Sequence, residues 1–250
     1  MKRTLLILLA TGITTLSFGQ KAFILSHQDK KGFFALSVGG SLPMGRFASC
    51  SPIDKQAGMA GSGIVMSLSA GYRLVGPVGL MVRSEQHRNK LQTHALLDGL
   101  YRNTTDTWTA DADNWSVITV MAGPYISIPM GRFSLDARLL AGRARAVLPN
   151  TSMSGNFGTV DVSVETTGSE SRTTALGGGL SLRYRLGRSL SIHFNGDYTH
   201  ARFMFDNLTS TAQSNNGQSE SSLYSSGRTV SVVSVSAGIA LLFGNNNRPF

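Results

Sequence analysis

The histidines are the side chains with the clearest potential for chemistry, because a histidine beside a serine can act as the base of a hydrolase. His200 lies in the segment 198–202, but Arg202 occupies the position two residues later, where a serine would be needed. The chain has no Gly-x-Ser-x-Gly motif, and its histidines lack metal-ligand spacing. The glycines 177–179 lie in a strand-like segment rather than before a helix, which excludes a nucleotide-binding motif. We therefore expect no catalysis, no metal site and no cofactor.

Nine ionisable residues share a different property, because all fall on the polar side of segments that alternate with a two-residue period. They are Arg73, Arg83, Glu85, Asp136, Arg138, Arg183, Arg185, His193 and Asp197. Counting from the turn at Gly187 places Arg183 within a residue or two of the position opposite His193. The interior of an eight-stranded barrel is just wide enough for side chains to fill it. Opposite charges on this side are expected to pair into a polar plug; the alternative is that they line a narrow pore or a proton path.

The elements that position these residues are eight segments with strand-like alternation. The last is the clearest, because apolar residues from Val233 to Phe243 alternate with small ones from Ser234 to Ala240. The segments cover roughly residues 33–43, 64–73, 78–90, 115–128, 132–147, 176–185, 189–205 and 233–243. The predicted fold is all-β, an eight-stranded antiparallel up-and-down barrel. Ten strands are the alternative, because the short apolar segment 22–25 could also pair as a strand.

The connections between the segments alternate in length. Short turns lie at 74–77, 129–131 and 186–188. Long polar links cover residues 44–61, 91–114, 148–171 and 206–228. Short turns at one end and long loops at the other, on an even number of strands, are typical of a transmembrane barrel. The short turns are then periplasmic and the long loops extracellular.

Aromatic residues mark one end of the apolar side of the strands. Phe34, Tyr72, Phe133, Tyr184 and Phe243 all fall on this side, near the short turns. Aromatic rings favour the level of the lipid headgroups, so these five predict an aromatic girdle at the periplasmic interface. The alternative is an ordinary aromatic core of a soluble barrel.

Cations mark the other end of the same side. They are Arg88, Lys90, Arg143, Arg145 and Arg202. Phe133 and Arg143 are ten residues apart, which at about 3.3 Å per residue and a strand tilt near 40° gives roughly 25 Å of height, the thickness of the apolar band. Because arginine binds phosphate through paired hydrogen bonds, we expect a belt that contacts lipopolysaccharide. The alternative is that these strands extend into solvent beyond the bilayer.

The N-terminus has the pattern of an export signal. Lys2 and Arg3 precede an apolar run at 5–10, and small residues lead up to Gly19. We expect a cleaved signal peptide over residues 1–19, a periplasmic segment over 20–31 and a barrel over 32–250. The apolar run is too short for a membrane-spanning helix.

Composition fits an exported membrane protein. Charged residues make up 15% of the chain, and the formal net charge is +9. A basic chain can indicate nucleic acid binding, but for an exported protein anionic lipid is the expected partner, and no nucleic acid is expected. Cys50 is the single cysteine, so an intramolecular disulfide is impossible.

The chain resembles a known family, the small outer-membrane β-barrel proteins of Bacteroidota-type bacteria, which share the architecture of the OmpA transmembrane domain. The residues that carry the resemblance lie in the segments 39–47, 123–129 and 135–142, and Gln20 after the cleavage site also fits. The motifs extend over nearly all of the mature chain and define a fold rather than an activity. The resemblance implies a protein of the outer membrane of Gram-negative bacteria, and we expect it to be a monomer.

Three functions follow, in decreasing order of expectation. The first is a structural or surface-interaction barrel, with an extracellular or envelope protein as a potential partner, because exposed loops on a rigid scaffold are where binding resides. The second is a small porin-like channel or transport accessory. The third is a lipid A-modifying enzyme, because lipid A deacylases of this size resemble segment 198–202 superficially, although Arg202 stands where they carry a serine.

Overall fold

The computed structural model describes residues 30–51, 54, 56–97, 107–157, 160–187 and 189–245. The expected signal peptide and residues 20–29 lie outside this part. The elements are β1 (Lys30–Pro43), a 3-10 turn (Gly45–Phe47), β2 (Ala60–Val75), β3 (Val78–Leu91), α1 (Thr93–Leu97), β4 (Trp108–Ala112), β5 (Trp115–Met130), β6 (Phe133–Val147), β7 (Thr151–Phe157), β8 (Val160–Thr167), β9 (Glu170–Arg185), β10 (Leu190–Ser214) and β11 (Ser219–Asn245). In these residues, no helix is long and apolar enough to cross a membrane.

Eight of the strands close into a ring. The order is β1-β2-β3-β5-β6-β9-β10-β11, and β11 pairs back onto β1, with Lys30 opposite Asn245 and Phe34 opposite Leu241. Every pairing is antiparallel. The eight-stranded prediction is confirmed, and the described part of the chain adds no ninth or tenth strand to the ring. Strand β1 begins at Lys30, so it includes two residues expected in the periplasmic segment.

The alternation along the strands separates a polar interior from an apolar exterior. On β2, the inward Ser67 and Ser69 are buried, whereas the outward Ile64, Met66 and Leu68 are 56%, 50% and 58% exposed. The other strands of the ring follow the same pattern. Exposed apolar side chains lie on every strand of the ring, among them Leu36, Leu80, Val120, Leu139, Leu180, Phe194 and Ile239. This surface is the reverse of that of a soluble protein, in which large contiguous apolar patches are rare.

One end of the ring has short turns. Gly76 joins β2 to β3 with φ 54°, and Gly131 joins β5 to β6 with φ 70°. A positive φ of this kind costs glycine little because it has no Cβ. The connection between β9 and β10 also lies at this end, which we call the short-turn end.

The opposite, long-loop end contains regular secondary structure within the predicted long links. The predicted loop 206–228 is mostly strand, because β10 and β11 remain paired from Phe205–Ser226 up to Gln213–Ser219. The predicted loop 148–171 contains β7, β8 and the start of β9, and the predicted loop 91–114 contains α1 and β4. In β8, Val160, Val162 and Val164 alternate with polar residues, a period that predicts a strand, and the structure confirms it. The outer parts of β10 and β11 lack such a period, so the sequence did not predict them as strands.

Candidate functional site

The centre of the barrel interior is filled by a charge network from three strands. Arg83 on β3 donates from Nε to Glu85 at 2.7 Å and from Nη2 to Asp197 on β10 at 2.8 Å. Arg138 on β6 donates from Nε to the other oxygen of Asp197 at 2.8 Å. All four side chains are at most 7% exposed. Two guanidinium groups and two carboxylates therefore compensate each other inside the ring.

The network continues toward the long-loop end through groups that the sequence analysis did not select. Glu85 accepts a hydrogen bond from the Thr199 hydroxyl at 3.1 Å and lies 3.4 Å from His87 Nε2. The Ser41 hydroxyl contacts His87 at 3.1 Å and donates to Asn89 at 3.0 Å. The two-residue period from Arg83 through Glu85 to His87 and Asn89 is the signal that could have identified the last two.

Toward the short-turn end, the predicted plug residues are less tightly enclosed. Asp136, on β6, accepts a hydrogen bond from Arg183, and His193 lies directly opposite Arg183 in the β9–β10 register. Asp136 and His193 are buried, while Arg73, Arg183 and Arg185 are half-buried. All nine residues predicted to face the interior thus lie on the inward side of the ring.

An apolar cluster fills the interior at the long-loop end. The Trp115 ring lies 5.3 Å from the Phe47 ring and 6.2 Å from the Phe205 ring, centroid to centroid. Trp115 also donates from Nε1 to the Gly58 carbonyl at 2.9 Å. All three rings are at most 1% exposed. Phe47 reaches the bore because the 3-10 turn after β1 folds inward, which the sequence analysis did not predict.

The five aromatics of the predicted girdle lie on the outward side of the ring, close to the short turns. Phe34 stacks on Phe243 at 5.0 Å across the β1–β11 pairing, and Phe133 lies 4.9 Å from Tyr184 across the β6–β9 pairing. Tyr72 is 44% exposed on β2. The rings of neighbouring strands are therefore at similar heights.

The five outward cations lie toward the long-loop end, and all are exposed. Arg88 and Lys90 lie on β3. Arg143 and Arg145 lie on β6, opposite Thr174 and Arg172 of β9, and Arg202 lies on the next strand, β10. Arg143, Arg145, Arg172 and Arg202 thus occupy three adjacent strands, and we call them the arginine cluster. Arg172 was missed because the sixth segment was predicted to begin at residue 176, whereas β9 begins at Glu170.

One carboxylate accompanies the arginine cluster. Glu170, the first residue of β9 and beyond the apolar band, accepts from Arg172 at 2.9 Å and from Arg145 at 2.5 Å. The hydrogen bond from Arg172, followed by that from Arg145, holds the pKa of Glu170 below its usual range. One acid against four arginines leaves the cluster with excess positive charge.

The structure also brings His200 into contact with a serine that is distant in sequence. His200 Nδ1 lies 2.9 Å from the Ser231 hydroxyl on the neighbouring strand β11. Ser231 is 9% exposed. No carboxylate of the described residues bonds to His200, so the pair lacks the third group that orients the base in hydrolases.

Above the ring, β4, β7, β8 and the outer parts of β10 and β11 form a second sheet. Thr209–Ser214 of β10 pair with β8, β8 pairs with β7, and β7 pairs with β4. Above Val232, β11 pairs with β10 alone among the described strands, so its residues 219–227 form an open edge. On this edge, Leu223 is 68% exposed and Tyr224 is 42% exposed. In the described residues, no group of three or more His, Cys, Asp or Glu side chains could hold a metal ion.

The closed ring, the filled interior and the apolar exterior define the class of this protein, an eight-stranded transmembrane β-barrel. No protein-family profile matches the sequence, and no curated protein is significantly similar to it.

Several solved barrels are similar in structure. Neisserial surface protein A is 12% identical, with a TM-score of 0.43 over 85% of this chain and 97% of that chain. Ail, the attachment invasion locus protein of Yersinia pestis, is 15% identical, with a TM-score of 0.42 over 84% and 99%. The N-terminal β-barrel domain of Pseudomonas aeruginosa OprF is 10% identical, with a TM-score of 0.39 over 86% and 100%. TM-scores below 0.5 support no statement about the function of this chain.

Proposed function

We propose that this protein is an integral barrel of the bacterial outer membrane that displays a rigid β-sheet outside the cell as a surface for binding other proteins. The observation that carries the proposal is the second sheet, which continues the hydrogen bonding of the barrel and ends in β4 on one side and in the open edge 219–227 on the other. The role involves neither catalysis nor conduction.

The apolar exterior supports the membrane location. The outward side chains between the aromatics and the cations are apolar or small, as with Leu135, Ala137, Leu139 and Ala141 on β6. The strand length between Phe133 and Arg143 corresponds to roughly 25 Å of height. A closed ring leaves no unpaired backbone groups to lipid, which is a requirement for a chain that spans a bilayer.

The arginine cluster supports a location in a membrane whose outer leaflet is rich in phosphate. Four guanidinium groups on adjacent strands, at the upper limit of the apolar band, can each form paired hydrogen bonds with phosphate oxygens. Lipopolysaccharide carries such phosphates at this depth, so it is the proposed lipid partner.

The open edge supports a protein partner. Nine residues from 219 to 227 include no proline and no lysine, and Glu220 is their one charge. Natural edge strands commonly carry prolines, lysines or other charged residues, which prevent pairing with other chains. An unprotected edge that is held rigidly by four further strands can accept an extended segment of another protein as an additional strand.

The filled bore favours this role over the channel alternative. The aromatic cluster at Trp115, the charge network at Asp197 and the pair of Phe33 and Tyr125 obstruct successive levels of the interior. Conductance in planar bilayers tests the alternative: we expect no current steps beyond those of a bare bilayer, and regular steps would favour the channel.

The contact between His200 and Ser231 is the observation that favours a lipid-modifying enzyme. The low exposure of Ser231 and the missing carboxylate partner weigh against that role. Mass profiles of lipid A from cells with the wild type and with Ser231→Ala test it. We expect identical profiles, and a product that depends on Ser231 would overturn the non-enzymatic role.

Cysteine labelling tests the display topology. In a Cys50→Ser background, Ser222→Cys at the open edge should react with a membrane-impermeant maleimide on intact cells. Gly187→Cys, at the short-turn end, should react only after the outer membrane is permeabilised. Labelling in the opposite pattern would place the sheet in the periplasm and contradict the proposal.

The binding role has its own test. The purified barrel is assayed against immobilised extracellular proteins, with Leu223→Lys as the edge variant and Thr109→Lys, on β4, as the matched surface control. We expect binding that the edge variant loses and the control keeps. No binding by the wild type, or equal loss in both variants, would contradict a role for the edge.

A further inference from the structure

One face of the second sheet is covered by polar side chains. The register places a row of them across four adjacent strands, β4, β7, β8 and β10, namely Thr109, Ser154, Ser163 and Gln213. The opposite face of the same strands carries apolar residues, among them Ala110, Met153 and Val164. The sheet is therefore two-sided, and its polar side presents hydroxyl and amide groups.

A cavity of about 600 Å³ lies over this row. Its volume is within the usual range of small-molecule sites, roughly 300–1,000 Å³. Among the described residues that line it, only Gly155 and Val162 lack a polar side chain. Small-molecule sites are lined mainly by apolar groups, so this lining favours a ligand that carries hydrogen-bonding groups over much of its surface.

Hydrogen bonds within the cavity wall hold several of its polar groups in place. The Oδ1 atom of Asn156 accepts from the backbone N–H of Thr107 at 2.9 Å and from the Thr107 hydroxyl at 3.2 Å. The side-chain amino group of Asn156 remains as a donor. Asn215 donates from Nδ2 to one carboxylate oxygen of Asp161 at 3.4 Å, and the other oxygen remains as an acceptor. The wall thus offers both donors and acceptors in fixed positions.

The charge of the second sheet excludes an anionic ligand. Residues 107–113, 150–157, 160–167 and 206–227 contain neither lysine nor arginine. A phosphate or a sulfate would meet carboxylates here without a compensating cation, and like charges repel. The cations at this end of the molecule belong to the arginine cluster, which lies lower, on the wall of the barrel.

The same lining favours a neutral ligand over a cationic one. Asp161 is the single acid among the described residues that line the larger cavity, and it is already bonded to Asn215. Its other polar groups are hydroxyls and amides, which carry no charge. An uncharged ligand with many hydroxyl groups matches this lining.

A second cavity indicates that the ligand is elongated. It has a volume of about 280 Å³, and its lining includes Asp111, Ser152 and Glu165. These three residues form the next row on the same face of β4, β7 and β8. Adjacent rows are two residues apart along each strand, which is about 7 Å. The two cavities therefore suit a chain of linked units.

We propose that the polar face of the second sheet binds an uncharged sugar chain. Each unit of such a chain presents several hydroxyl groups that donate and accept hydrogen bonds, and hydroxyl, amide and carboxylate side chains supply the complementary groups. The site is on a face of the sheet, whereas the proposed protein-binding surface is the open edge. Its exposure outside the cell rests on the proposed topology, but the binding itself does not.

Binding of oligosaccharides to the folded, full-length barrel tests the site. The probes are an array of neutral oligosaccharides of glucose, galactose, mannose and N-acetylhexosamines, together with hexalysine. We expect saturable binding of a neutral chain, and at least about tenfold weaker binding in the double variant Ser163→Ala, Gln213→Ala. The matched control Ser210→Ala, Gln218→Ala changes the same residue types outside the described lining of both cavities and should keep the wild-type affinity.

A blocking variant separates this site from the open edge. Thr109→Lys places a long side chain in the cavity, and β7, β8 and β10 lie between β4 and the edge. We expect this variant to lose the sugar and to keep protein binding at the edge. Loss of the sugar site would therefore leave the proposed protein-binding role intact.

Four outcomes would overturn the proposal. They are the absence of saturable binding to every neutral oligosaccharide, equal weakening in the double variant and its control, displacement of the sugar by hexalysine, and a strong fall in affinity with salt. Hexalysine that displaces the sugar would assign the face to cationic peptides. Binding of a neutral chain should be unchanged between about 0.1 and 0.5 M salt, because screening acts on charges. Heat-modifiable migration of each variant shows separately whether the barrel is folded.

Discussion

Arg83 and Asp197 lie 114 positions apart in the chain, yet the Arg83 guanidinium donates to the Asp197 carboxylate at 2.8 Å inside the barrel. Asp197 also accepts from Arg138, so one carboxylate joins β3, β6 and β10. The contact connects opposite parts of the ring through its centre, which backbone pairing between neighbouring strands cannot do. The interior network thus stabilises the closed shape of the barrel.

Removal of this carboxylate should destabilise the protein strongly. Asp197→Asn leaves two buried guanidinium groups with one carboxylate between them, and breaking a buried ion pair on one side costs about 3–5 kcal/mol. Guanidinium-induced unfolding in lipid vesicles should show this loss in the free energy of unfolding. The control Asp206→Asn, on the exposed outer part of β10, should change it by less than about 0.5 kcal/mol. A loss below about 1 kcal/mol for Asp197→Asn would mean that the network contributes little to the fold.

A substitution in the apolar cluster at the long-loop end should destabilise the protein to a similar extent. Trp115→Ala removes a ring that is 1% exposed and touches Phe47 and Phe205, so we expect a loss of about 3–5 kcal/mol in the free energy of unfolding. Tyr224→Ala, on the open edge, serves as the control and should have little effect. Comparable effects of the two substitutions would contradict the assignment of Trp115 to the core.

The aromatic pair Phe133 and Tyr184 should show measurable coupling. The rings are 4.9 Å apart on neighbouring strands, and such pairs contribute about 0.5–1.5 kcal/mol beyond their buried area. A double-mutant cycle with Phe133→Ala and Tyr184→Ala in vesicles measures this coupling. As a control, a cycle with Phe133→Ala and Phe194→Ala should give a coupling energy near zero, because Phe194 lies on another part of the exterior.

The arginine cluster should bind lipopolysaccharide. Arg143→Gln with Arg145→Gln removes two of its four guanidinium groups, so the lipopolysaccharide that copurifies with the barrel should fall. The amount retained is measured by phosphate and sugar analysis after detergent extraction. The variant Arg132→Gln, at the short-turn end, should retain the wild-type amount. Unchanged retention in the double variant would exclude the cluster as a lipopolysaccharide contact.

Two nearly identical segments show that local sequence alone does not determine where a side chain lies in the fold. Residues 41–47 (SLPMGRF) and 127–133 (SIPMGRF) differ at one position, yet they lie at opposite ends of the barrel. Phe47 is fully buried in the bore, whereas Phe133 is 45% exposed on the outside. The turn at Gly131 leads at once into β6, while the 3-10 turn at Gly45 turns the chain over the bore. Tertiary context, not motif, decides the environment of each phenylalanine.

The sequence by itself determined the ring and its two faces. Eight alternating segments, three short turns and the inward position of nine ionisable residues all follow from the two-residue period of a strand, because each side chain must point in or out. Tertiary structure alone decided the partners of Asp197 and the contact of His200 with Ser231. These depend on register and closure between strands that are distant in the chain. It also decided that residues 206–228 are mostly strand, because backbone pairing continues above the apolar band, where no lipid imposes a hydrophobic period.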